Sequence, residues 1–256
     1  MTLRSRFFCL FFLAITPLLF TVLGTLPCQA RTIANQVSEV RGAGVPQEML
    51  DQVLALGVEH CLGPDHMTRV LDVLTAAAEE QMPVAPFVQK FEEGLAKQIP
   101  PPRIETALAG KLDDYRFAQE AVVNIIRPRP GTFHPSDLIP LGESLDLGLP
   151  PGILLDFLEN APDAPLSTLL VGVEALALLH QIGFDDSLST DFLYKGLRHE
   201  VLSGKWRSLP EAVVAARAKS LSDSEICRIV GRVIEDDGSM EQVWEKLQAD
   251  PNNVLP

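Results

Sequence analysis

Cysteine, tryptophan and tyrosine are nearly missing from this 256-residue chain, which has four Cys, two Trp and two Tyr, and aromatics make up only 6% of it. Only Cys61 and Cys227 fall outside the first thirty residues, so at most one bridge can form, and two buried thiols are the alternative. Sparse aromatics beside abundant Ala, Leu and Val favour helices. Basic charge is also short. The chain has 21 Lys and Arg against 34 Asp and Glu, a net charge of −13, which lacks the cationic footprint that nucleic acid demands. The linear signatures GxSxG, HExxH, GxxxxGKS/T, GxGxxG and CxxC are absent, as is Asn-x-Ser/Thr. No motif asks for a cofactor, and the common enzyme classes lose their usual sequence support.

One long apolar run is present, at the N-terminus. Arg4 and Arg6 precede a nearly unbroken stretch from Phe7 to Leu23, and Cys28-Gln29-Ala30 places small residues where a signal peptidase reads. This predicts a signal peptide over 1–30, cleavage after Ala30 and a periplasmic or secreted product. An uncleaved membrane anchor is the alternative, because the run approaches the length that spans a bilayer. Without Arg4 and Arg6 the remainder carries 19 basic and 34 acidic residues, net −15. That acidity keeps a protein soluble and leaves room for a cationic partner.

About 226 residues then remain, enough for one large helical domain or two smaller ones. The stretch 82–104, MPVAPFVQKFEEGLAKQIPPPRI, reads as one helix bracketed by proline. Pro86 suits a first helical position, and Phe87, Val88, Phe91 and Leu95 recur on one face. Within 74–112, Pro83, Pro86, Lys90, Glu93-Gly94-Leu95-Ala96-Lys97, Pro101, Arg103 and Ile104 resemble a pattern of exported helical proteins of bacteria. The resemblance covers about forty residues of the chain. It implies a helical architecture and carries no catalytic or binding residue. Gln98 departs from it, standing where a small residue is expected.

Further helices are predicted after Pro46 and Pro64, and from Pro102 to Ile125, where Ile104, Leu108, Leu112, Tyr115, Ala118 and Val122 make the longest stripe. Arg127-Pro-Arg-Pro-Gly-Thr-Phe-His-Pro135 can only be loop. The second half echoes the first: Gly44-Val45-Pro46 matches Gly148-Leu149-Pro150, helix 64–81 matches 165–182, and Glu93-Gly94-Leu95 matches Lys195-Gly196-Leu197. The expected fold is all-α, with two related units of about a hundred residues, 31–130 and 131–250, in an irregular helical array and a loose tail at 251–256. Nothing has the signature of a short-period solenoid. Capping boxes at Ser222–Glu225 and Ser239–Gln242 open the last two helices.

Three spots concentrate chemistry. His60, Cys61, Asp65 and His66 place two imidazoles, a thiol and a carboxylate around one turn; these are metal-ligand types, although the spacing fits no established site and Asp65 also suits a helix start. Glu174 is the only charge in the apolar segment between Pro165 and Gly183, and burial would demand a partner. Arg127, Arg129 and His134 form a basic spot in the central loop, able to meet an anionic ligand or partner or to serve as a solvated linker. The leading expectation is a non-catalytic exported interaction or scaffold protein of the cell envelope, with another envelope or extracellular protein as partner. The alternative is a metal-dependent or carboxylate-using envelope enzyme working near His60 and His66 or at Glu174.

Overall fold

A computed structural model describes residues 33–127, 133–161 and 164–248. The leader expected over 1–30, Arg129 and the tail at 251–256 lie outside the described residues. All regular structure within them is helical. The first half holds α1 (Ile33–Gly42), α2 (Gln47–Glu59), α3 (Pro64–Glu79), α4 (Ala85–Ala96) and α5 (Pro101–Ala121). A π-turn, Val122–Ile126, extends α5. The second half holds α6 (Leu138–Asp146), α7 (Pro151–Glu159), α8 (Leu166–Gln181) and α9 (Asp186–Arg198). A 3-10 turn at Gly204–Ser208 leads into α10 (Leu209–Arg217), followed by α11 (Asp223–Glu235) and α12 (Met240–Gln248).

Proline starts these helices. It occupies the first turn of α3, α4, α5, α7 and α10, where its missing N–H breaks no helical bond. The ends share a different device. One residue turns left-handed, and the next N–H reaches back five residues to a carbonyl: Val45 to Val40, Leu62 to Gly57, Met82 to Ala77, Ile99 to Gly94, Leu149 to Ser144, Phe184 to Leu179, Val201 to Gly196 and Leu221 to Ala216. The donor residue is apolar in each of these eight and turns inward, so each helix end is pinned to the core as well as hydrogen-bonded.

Those caps reveal a period. Left-handed residues fall at Gly44, Cys61, Gln81 and Gln98, and again at Gly183, Glu200, Ser220 and Asp237. Gly44 to Gln81, Cys61 to Gln98, Gly183 to Ser220 and Glu200 to Asp237 are each 37 positions apart. A helical hairpin therefore recurs within the chain, and the 104-residue offset between Gly44 and Gly148 spans about three hairpins. Helices pack mainly on the next but one in the chain. One row runs α1, α3, α5, α6, α8, α10, α12; in the other, α2 meets α4 and α9 meets α11. A single apolar core runs through both halves, from Val40 to Leu247.

Two local features lack a clear sequence signal. α6 starts with Pro140 inside its first turn and buries Leu138, Leu141 and Leu145, although Pro140 and the polar Ser136-Asp137 hid it in the sequence. Gly57 lies inside α2, which runs on to Glu59, and its missing side chain lets the Met67 side chain close against the helix. Gln98, the residue that departs from the resembling pattern, is one of the left-handed caps, at φ 55°. Gly44 and Gly148 hold φ values of 95° and 99°, which an L side chain resists. Replacing either by Ala should cost about 1 kcal/mol in urea unfolding. A near-equal loss at both sites is the expected result.

Candidate functional site

The sequence candidates resolve into separate small pairings. His60, Cys61 and Asp65 sit exposed on the α2–α3 turn, with Cys61 itself the left-handed cap. His66 turns to α5, where its Nδ1 lies 2.5 Å from Glu105 Oε1, and Arg69 Nε donates to the other oxygen at 2.5 Å. Burial would raise the Glu105 carboxyl, but bonds from Arg69 and His66 outweigh it and hold it below the usual range. Among the described residues, no three His, Cys, Asp or Glu stand close enough to hold a metal ion. Cys61 and Cys227 are both free, and burial pushes the Cys227 thiol up.

Glu174 is partnered. It projects from α8 to the Arg207 guanidinium in the 3-10 turn and remains about a quarter exposed. His180, on the same helix, pairs instead with Asp186 at 2.8 Å. In the central loop, Arg127 is left-handed and its Nε donates to the Asn124 carbonyl at 2.7 Å, while the His134 backbone N–H donates to Asp137 at 2.8 Å. Both bonds are local. Glu235-Asp236-Asp237-Gly238 ends α11 as a cap, with Asp237 3.0 Å from His199 Nδ1.

Sequence reasoning missed the densest charge network. Lys111 on α5 is only 2% exposed, and its ammonium lies 2.5 Å from Glu143 and 3.1 Å from Asp146, both on α6. Lys90 of α4 donates to the same Asp146 at 2.9 Å, and the Tyr115 hydroxyl donates to Glu143 at 2.8 Å. Burial would raise the Asp146 carboxyl, yet the two lysines more than reverse this and hold it below the ordinary value. The Tyr115 hydroxyl is driven far above its usual range by burial and by Glu143. Asp114 is raised by burial and by Asp146 and Asp113. Three helices are thus clamped through mutually satisfied charges, an arrangement that holds structure rather than offering a reactive group. One sequence signal was available: Lys111 lies three residues after Leu108 and four before Tyr115, on the buried stripe.

A second feature lies between α7 and α9. α9 packs on α8 and α11, and α7 rests on α8 and the π-turn. Tyr194 bridges the space: its ring stacks on Phe157 at 5.1 Å between centroids, and its hydroxyl donates to the Asp156 carbonyl at 2.8 Å. Burial and the Asp156 charge push that hydroxyl up to about 12, against the opposing bond from Asn160. On one side of Tyr194 is a hollow of about 540 Å3 lined by Gly152, Ile153, Asp156, Asp186, Thr190 and Asp191. The other side opens on Asn160, Leu197, Arg198 and Glu200. The result is a groove with an aromatic ridge and an acidic rim.

No family model, no curated protein and no solved structure matches this chain.

Proposed function

We propose that this is a non-catalytic, exported, acidic helical-repeat protein of the cell envelope that works by holding another protein against its helices. The observation that carries this reading is the hairpin stack itself: each hairpin leans on its neighbours, so the chain presents long helical flanks. The leader pattern supports export, and the charge clamp supports a rigid frame. We place two related units at 31–130 and 131–250. In support, Gly44 and Gly148 have matching φ values, and the caps at Gln81 and Gln98 recur 102 positions later at Gly183 and Glu200.

The test fractionates the cells that make the protein. N-terminal sequencing of the purified product should read from Arg31, and photo-crosslinking in intact cells should yield a discrete heteromeric adduct. A cytoplasmic product beginning at Met1, or stoichiometric zinc or copper that is lost on His60→Ala with His66→Ala, overturns the reading.

A further inference from the structure

We propose that the groove between α7 and α9 binds a basic amphipathic helix of a protein partner. An apolar residue of that helix would enter the hollow over Ile153 and Tyr194, with lysines or arginines meeting Asp156, Asp186 and Asp191. The site deepens the proposed interaction role and rests on it. Three features identify the occupant. Among the described residues the hollow is lined by three carboxylates and no lysine or arginine, Arg198 standing on the far side of Tyr194 beside Glu200, so the hollow's charge complement is cationic. Those carboxylates are not grouped closely enough with other donors to chelate a metal ion, so they suit separate cationic side chains. The flanks are two helices with no strand edge beside them among the described residues, which favours a helix laid in a groove over an added strand.

The existing partners of these carboxylates do not close the site. Asp186 faces His180 at 2.8 Å, and Asp191 faces Lys195 at 3.4 Å while remaining more than half exposed. Exposed pairs of this kind are weak and exchange readily for a better-placed cation. A second copy of this chain is disfavoured as occupant, since it carries net charge −13 and would bring carboxylates to carboxylates. The floor has apolar character for a side chain to bury: Ile153 is half-buried, and the Tyr194 ring is braced from behind by Phe157.

Gly152 gives a clean probe of the hollow. A Cβ there meets nothing within 4 Å, and the residue lines the hollow from the first turn of α7, so Gly152→Leu starts from open space and adds bulk at the hollow. The experiment titrates the purified full chain with a fluorescein-labelled helical peptide built only of Leu and Lys, by fluorescence anisotropy. Wild type is expected to bind it, and to bind a Leu/Glu counterpart not at all. Asp156→Asn with Asp186→Asn and Asp191→Asn, and separately Gly152→Leu, should each weaken binding roughly tenfold. Neutralising Glu48, Asp51 and Glu59 on α2 to their amides should leave it within about twofold. Gly152→Leu should melt no lower than wild type, so its loss of binding reports the hollow and not unfolding. Absence of binding, equal weakening by the α2 variant, or indifference to Gly152→Leu overturns the groove. If a crosslinked partner is still captured in cells, the interaction role stands without this site; if neither appears, both fall.

Discussion

Replacing both carboxylates that face Lys111, as Glu143→Gln with Asp146→Asn, is expected to destabilise the protein by about 3 to 5 kcal/mol at neutral pH. The ammonium is 2% exposed, whereas Glu143 and Asp146 are 37% and 17% exposed. Stripping the carboxylates leaves a charge buried with no counter-ion. Stripping the lysine leaves carboxylates that reach water, one of them still paired with Lys90. Lys111→Met should therefore cost much less, about 1 kcal/mol. Adding Lys111→Met to the double variant should recover most of its loss. Denaturant unfolding of the four proteins reads this directly, and equal losses for the lysine and carboxylate variants would refute the asymmetry. The pH sign follows from Asp146. Its carboxyl is lower in the folded than in the unfolded chain, so its contribution is complete above the unfolded value, about 3.9, and fades as pH falls through the folded one. The gap between wild type and the double variant should narrow below about pH 4.

The sequence made helices legible because proline starts and apolar stripes are local signals. Pro64, Pro101 and Pro151 open α3, α5 and α7, and the Ser222–Glu225 box caps α11. The hairpin period was hidden for a physical reason. Its marker is a backbone conformation shared by Gly44, Cys61, Gln81, Gln98, Gly183, Glu200, Ser220 and Asp237, which as a set have no side-chain chemistry in common. Only the glycines among them announce it. Charge pairs were hidden differently: Lys111 to Glu143 spans 32 positions and Tyr194 to Asp156 spans 38, and no local pattern tells one carboxylate from another at that range. The candidates chosen for proximity in sequence, His60, Cys61, Asp65 and His66, were near in the chain, but His66 alone turned toward a partner on another helix.

Gly142→Ala tests how the two halves are joined, and helix propensity gives the wrong sign for it. In an open helix that change gains up to about 1 kcal/mol. Gly110 on α5 is such a site, since a Cβ there meets nothing within 4 Å, and Gly110→Ala should stabilise by about 0.5 to 1 kcal/mol. At Gly142 on α6, a Cβ would lie 2.4 Å from Cε2 and 2.5 Å from Cδ2 of Tyr115. The ring cannot retreat: it is fully buried, packs on Phe87 at 5.2 Å and is tied by its hydroxyl to Glu143. The expected cost is about 3 kcal/mol, from forcing α6 off α5. Removing the obstacle should remove the cost, so Gly142→Ala in a Tyr115→Leu background should be nearly neutral, a coupling of about 2 to 3 kcal/mol in a double-mutant cycle. Additive losses would show that the contact does not set the spacing. In a stack where each hairpin leans on its neighbours, loosening this one junction separates what lies on either side. Calorimetry of Gly142→Ala should accordingly resolve two transitions where wild type shows one, with the lower belonging to whichever half depended more on the α5–α6 contact.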